Sequence, residues 1–262
     1  MALNLICSIL YDCSLLPYFL RYYSKAGVDL FIFALWNNPE RVHRSTVEEY
    51  CHGFNVRIVD FSAPNFNGEV DARAHNRIRE AFVNDNDWYV ISDLDEFHYL
   101  QGYDCFNKVT RLAEECGASA VRGCILDRIA IDGSIPHFLD HKRSLGSQFP
   151  LSCNIIGAVI GAARSKILMA RKHVAVTPGH HSCTGICWNH SGEVHHFKWF
   201  GGLVDETLRR MVSYEKEGLF YKQEPRTLLQ YIKANGNRLP IDQPVLNATL
   251  VINDPFKDIT GI

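Results

Sequence analysis

The chain lacks any run approaching the roughly 20 apolar residues that a membrane span needs, so no transmembrane segment is expected. It also lacks a surplus of either charge: 27 Lys and Arg stand against 29 Asp and Glu, for a net charge of −2. That balance argues against broad electrostatic binding of nucleic acid or of an anionic membrane surface, while leaving room for a local basic pocket. The nine cysteines lack the spacing of a disulfide framework. Cys7, Cys124 and Cys153 sit in apolar runs, where thiols behave as small core residues. A reducing, cytoplasmic compartment is therefore expected. The first ten residues are apolar without a basic stretch, and Asp12 follows at once, so they read as a first buried strand rather than a signal peptide. Internal repeats, low-complexity tracts and clean linkers are also missing, which favours one domain over residues 1–262. Asn189-His190-Ser191 and Asn247-Ala248-Thr249 fit a glycosylation pattern that is common by chance.

What is present is alternation. Leu3 to Leu10, Val28 to Leu35, Val56 to Phe61 and Trp88 to Ser92 read as strands. Ser14 to Ala26, Pro39 to His52 and Glu69 to Val83 read as the helices between them, with Gly27 stopping the first and Pro64 and Asn67-Gly68 in the loop before the third. This β-α-β-α-β-α-β order implies an α/β fold with a mostly parallel sheet flanked by helices. Beyond it, Asn107 to Cys116 reads as a helix and Ala118 to Ile125 as a strand. Residues 133–152 read as a long loop. Ile155 to Ala162 and Glu193 to Trp199 read as strands, and Leu203 to Glu217 and Pro225 to Ala234 as helices.

The strand Trp88 to Ser92 delivers three carboxylates within four residues: Asp93, Asp95 and Glu96. Open α/β sheets bind ligands outside the carboxyl ends of their strands. Carboxylates packed so closely repel one another, so a cation belongs with them, and a hard divalent metal holding a phosphorylated substrate fits. Asp95 is the candidate direct ligand, Asp93 a contact to metal or ribose, and Glu96 a group that orients its neighbours. The bland reading is a solvated turn that caps a helix. A second constellation is Val194-His195-His196-Phe197-Lys198-Trp199. On a strand, His196 and Lys198 share one face, while His195, Phe197 and Trp199 share the other. An imidazole beside an ammonium suits a metal-diphosphate. The bland reading is a core histidine and a surface lysine.

The order of elements, with Trp88-Tyr-Val-Ile-Ser-Asp-Leu-Asp-Glu-Phe97, Leu126-Asp127-Arg128, Asp132-Gly133 and His196-Phe-Lys-Trp199, resembles glycosyltransferases of the family 2-like type with a GT-A, Rossmann-like fold. The resemblance runs from Leu3 to about Arg210. It implies a nucleotide-sugar donor, a carbohydrate or other hydroxyl acceptor, Mn2+ or Mg2+, and inversion at the anomeric carbon. It makes residues 1–100 a nucleotide-binding half and 101–262 an acceptor-binding half with C-terminal helices. It makes Asp93 and Asp95 the acidic metal motif and His196 the late metal ligand. The Glu-Asp base motif of many such enzymes is absent, so Asp127, expected just after the strand 118–125, becomes the candidate base; its bland reading is an ion pair with Arg128. The nucleotide would lie over the first strand ends, near Tyr11, Asp12, Asn37, Asn38 and Asp60, with Arg73, His75, Asn76 and Arg77 from the preceding helix and Lys198 at the phosphates.

Two alternatives use the same residues: a metal-dependent phosphohydrolase, and a non-catalytic nucleotide- or carbohydrate-binding domain. Structural zinc could also be drawn from His180, His181, Cys183, Cys187, His190 and His195, although Cys-x3-Cys is not a paired knuckle pattern.

Overall fold

A computed structural model describes residues 2–37, 42–63, 66–103, 105–218 and 223–262. Asn38, Pro64, the start of the helix expected at Pro39 and the His190 side chain lie outside the described residues. The chain forms two compact units, Met1–Cys124 with Ser165–Val194, and Ile125–Arg164 with His195–Ile262.

The first unit is α/β. Its strands β1 (Leu3–Ile9), β2 (Leu30–Trp36), β3 (Val56–Phe61) and β4 (Trp88–Ile91) alternate with helices α1 (Leu16–Lys25), α2 (Arg44–Tyr50) and α3 (Gly68–Phe82). The pairs β1–β2, β2–β3 and β1–β4 are all parallel, as the alternation requires. β5 (Glu96–Leu100) and α4 (Phe106–Glu115) follow. The sequence reading missed β8 (Ser165–Arg171), which enters antiparallel between β4 and the first half of β6 (Ala120–Ile129). β5 pairs with β9 (Cys187–His196), and β6 and β9 run on into the second unit.

Burial explains the helices. α1 buries Leu16, Phe19, Leu20 and Tyr23 at helical spacing, carries Pro17 in its first turn and ends before Gly27, whose φ of 96° favours a residue without Cβ. α3 is capped by Asn67, whose side chain accepts from the Val70 N–H, and carries Glu69 and Asp71 in its first turn. One sheet face buries Ile6, Ile32, Ala34, Ile78, Tyr89, Ile91 and Ile167 together.

In the second unit, β7 (Leu151–Cys153) lies antiparallel between the second half of β6 and β10 (Thr249–Leu250). A short helix α5 (Leu145–Gln148) interrupts the loop expected at 133–152. Helices α6 (Leu203–Glu217) and α7 (Gln223–Ala234) fall where apolar spacing puts them. Ile129, Ile155, Trp199, Leu203, Leu228 and Ile232 share a core. The strand expected at Ile155 to Ala162 is instead a one-turn π-helix, Ile156–Ile160. Short apolar runs do not distinguish strand from helix. The side chains of Asp127 and Asn154 accept from the N–H groups of Ile156 and Gly157, and Gly161, with φ 69°, ends the turn.

Candidate functional site

Four parallel strands end along one edge of the first unit. Ile9 is level with Leu35, and Leu35 with Asp60. Ile6 is level with Ile91, and the Ser92 N–H continues that ladder to the Ile6 carbonyl. The spatial order β3-β2-β1-β4 reverses between β1 and β4. That reversal is the topological switch point at which open α/β sheets leave a crevice for ligands. Ser8 and Asp93 stand beside it.

The carboxylates of the Asp93–Glu96 turn already have a cation. The Lys166 ammonium, arriving on β8, lies 2.7 Å from Asp93 Oδ2 and 2.5 Å from Glu96 Oε1. Glu96 is buried, whereas the Asp93 side chain remains 40% exposed. Desolvation opposes charge on Lys166, but the two carboxylates prevail and raise its pKa. Desolvation likewise opposes charge on Asp93, yet Lys166 holds it far below the usual carboxylate range. Asp95 sits half-buried in the same turn.

The turn rests on α1. The Tyr23 hydroxyl lies 2.9 Å from Ser92 Oγ, donates to the Glu96 carbonyl and accepts from the His98 N–H. Tyr22 donates to the His98 carbonyl at 2.5 Å. Phe97 packs against Phe19, Tyr22 and Tyr23. Sequence reasoning missed both Lys166 and this aromatic seat. The available signals were a lysine opening the apolar run 167–170 and a paired tyrosine on the helix.

The proposed donor contacts divide. Tyr11, Asn37 and Asp60 lie at the ends of β1, β2 and β3. Tyr11 packs edge-on against Trp36, the Asn37 N–H extends the ladder to the Phe61 carbonyl, and Asp60 pairs with Arg44 at 2.5 Å. Arg73 is exposed beside Glu69. Asn76 is committed elsewhere: its amide donates to the Val176 carbonyl and accepts from the Val176 N–H, tying the segment 174–184 to α3.

In the second unit, Asp127 lies within β6 rather than after the expected strand, because the ladder to β7 continues through Ile129. It is 1% exposed. Its Oδ1 accepts from Trp199 Nε1 and pairs with His196 Nδ1, both at 3.1 Å, and its Oδ2 accepts from the Ile156 N–H at 2.9 Å. With the Asp127 oxygen accepting, the shared hydrogen sits on His196 Nδ1, which leaves the ring's lone pair on Nε2. Metal-bound histidines are commonly oriented this way. Arg128 points to the opposite face and pairs with Asp254, not with Asp127. β9 stops at His196, so the expected alternation ends there and Trp199 falls on the same side as His196, over Asp127. Lys198 is half-buried, its ammonium 6.0 Å from the centre of the Trp199 ring. Asp127→Asn is expected to cost about 2–3 kcal/mol, because an amide nitrogen must then face an N–H donor; chemical denaturation checks it.

Cys183 and Cys187 are thiols 3.5 Å apart, and among the described residues they form no three-ligand group with a histidine or carboxylate. His180 turns instead toward α3. Among the described residues, no helix is long and apolar enough to cross a membrane.

No family model and no curated relative matches the chain. Among solved structures, S. aureus TarS 1–349 is 9% identical with a TM-score of 0.41, over 82% of this chain and 65% of that one. The same protein in complex with UDP is 9% identical with a TM-score of 0.40, over 90% of this chain and 72% of that one. HddC from Yersinia pseudotuberculosis, complexed with GMP-PN, is 10% identical with a TM-score of 0.39, over 75% of this chain and 94% of that one. The chain spans 65% of that first TarS 1–349 structure and 39% of a further S. aureus TarS structure, less than two thirds of either. Overlaps of this size leave the functional reading to the residues themselves.

Proposed function

We propose that the chain is a metal-dependent, inverting glycosyltransferase of GT-A type, moving a sugar from a nucleotide-diphosphate donor to an acceptor hydroxyl. One observation carries this reading: the Asp93–Glu96 turn lies at the carboxyl edge of a parallel sheet, beside its switch point. Tyr11, Asn37 and Asp60, at the neighbouring strand ends, are the proposed nucleotide contacts, with Arg73 and Lys198 for the phosphates. Asn76 is left out, because its amide is engaged by Val176.

Asp95 is proposed as a ligand of the divalent ion, with Asp93 contributing beside Lys166. His196, oriented by Asp127, is in its own right a proposed metal-ligating imidazole, and imidazole suits manganese better than calcium. Such an ion, when bound, would neutralise charge on the leaving diphosphate. Lys166 supplies positive charge to the same turn and so reduces what the ion must balance. Asp127 is assigned to orienting His196, because its oxygens already meet three N–H groups, rather than to taking the acceptor's proton.

The test is a thermal-shift screen of nucleotide sugars with and without manganese. A nucleotide at 100 times its dissociation constant should stabilise the protein by about 2.7 kcal/mol. Asp95→Asn should abolish the manganese-dependent part. Absence of any nucleotide shift would overturn the reading. Phosphate release from simple esters would point to a phosphohydrolase, and full ligand retention by Asp95→Asn without turnover to a binding domain.

A further inference from the structure

A second cluster in the first unit takes up His75, expected from the sequence near the donor but with its ring nitrogens facing Ser8 and His180. Asp71 and His75 lie one helical turn apart on α3. Ser8 reaches them from β1. His180 arrives from the turn Pro178–His180, with Gly179 at φ 67° and His180 itself at φ 58°. All four are buried.

Their polar atoms converge. Asp71 Oδ1 lies 3.5 Å from His75 Nε2, and Asp71 Oδ2 lies 3.5 Å from His180 Nε2. His75 Nδ1 and His180 Nε2 are 3.1 Å apart. Ser8 Oγ lies 2.5 Å from Asp71 Oδ1 and 2.9 Å from His75 Nε2. One ligand atom from each of Asp71, His75 and His180 lies within 4.8 Å of the other two. A tetrahedral ion with ligands at about 2.0–2.1 Å separates them by roughly 3.4 Å; the spacings from His180 Nε2 to Asp71 Oδ2, 3.5 Å, and to His75 Nδ1, 3.1 Å, lie close to that.

Charge favours a dication as well. Asp71, Asp93 and Glu96 bring three carboxylates to this part of the unit, against the Lys166 ammonium that bridges the last two. Two borderline imidazole nitrogens with one hard carboxylate make a mixed nitrogen–oxygen donor set. It suits zinc better than the oxygen-preferring magnesium.

We propose that Asp71, His75 and His180 form a buried transition-metal site of the zinc class, with Ser8 holding the other ring nitrogen of His75. The ion would join β1, α3 and the 178–180 turn. It is separate from the ion proposed for Asp95. Without metal, the same atoms form a hydrogen-bonded relay: Ser8 donates to Asp71 and accepts from His75 Nε2, and His75 Nδ1 accepts from His180 Nε2.

The test starts from full-length protein purified without chelator, assayed for bound metal by mass spectrometry, then stripped and refilled with Co2+. Wild type should take up about one tightly held cobalt with the visible absorption of a four-coordinate site and two paramagnetically shifted imidazole N–H signals. His180→Gln, in a turn rather than a helix, should weaken uptake about 10- to 100-fold or more, and Asp71→Asn should do the same. Asp95→Asn should leave it intact, which separates this result from the fate of the diphosphate reading. Wild type with no tightly held cobalt, or with cobalt lacking the two imidazole signals, would overturn the proposal even if a variant failed to fold. So would uptake lost in Asp95→Asn but kept in folded His180→Gln, and the cluster would then be the relay alone.

Discussion

Methionine in place of Lys166 should destabilise the protein by about 3–5 kcal/mol at pH 7, the usual consequence of breaking a buried ion pair from one side. The ammonium lies between Asp93 and Glu96, and the Glu96 side chain is only 3% exposed, so its buried charge would lose the 2.5 Å partner that balances it. Asp93, at 40% exposure, can turn to water and matters less. The double variant Lys166→Met with Glu96→Gln should therefore recover much of the loss. Urea denaturation of the four proteins measures the coupling directly. A single-variant loss below about 1 kcal/mol would mean that water or another group already serves Glu96.

The second large effect is acid destabilisation that begins near pH 6.5, well above the carboxylate range. His98 is fully buried, and that burial, aided by Lys166, depresses its pKa to about 3. In the unfolded chain it takes up a proton near pH 6.5. Between these values the unfolded state binds the extra proton, so stability falls as pH falls, by about 1.4 kcal/mol per unit. At pH 5 His98 alone should remove about 2 kcal/mol. Burial lowers His75 and His181 in the same direction. The Lys166 bridge does not contribute in this window. Asp93 is depressed, so its stabilisation holds above its unfolded value near 3.9 and is lost only below it. Lys166 is raised, so its stabilisation holds up to about pH 10.4 and is lost above it. Urea midpoints at pH 7.5, 6 and 5 should fall steadily, and His98→Leu should flatten the slope. A wild-type profile level down to pH 5 would contradict this assignment.

The legible part of the fold was the part governed by local period. β1 to β4 and their helices follow from apolar spacing, and α6 runs from Leu203 to Glu217 as its pattern requires. The acidic turn was legible because a buried strand had to end there. Its partner was not: Lys166 is 73 residues from Asp93, and nothing local in Ser165-Lys166-Ile167 points to a carboxylate. β8 was hidden for a related reason, since Lys166 near its start and Arg171 at its end made a buried strand look like surface. Asp127 illustrates the converse. Its identity suggested chemistry, whereas its neighbours in space, His196, Trp199 and the Ile156 N–H, give it an orienting role. The Ile156–Ile160 turn escaped because its N-terminal N–H groups are capped by Asp127 and Asn154, and capping partners set by tertiary structure leave no periodic trace.

The measurement that bears most directly on function is an anomalous-difference map from crystals grown with manganese and a nucleoside diphosphate. The account predicts a manganese peak bonded to Asp95, with the diphosphate over the carboxyl ends of β1 and β4. Nucleotide bound away from that edge, or manganese that ignores Asp95 while the diphosphate is present, would contradict it.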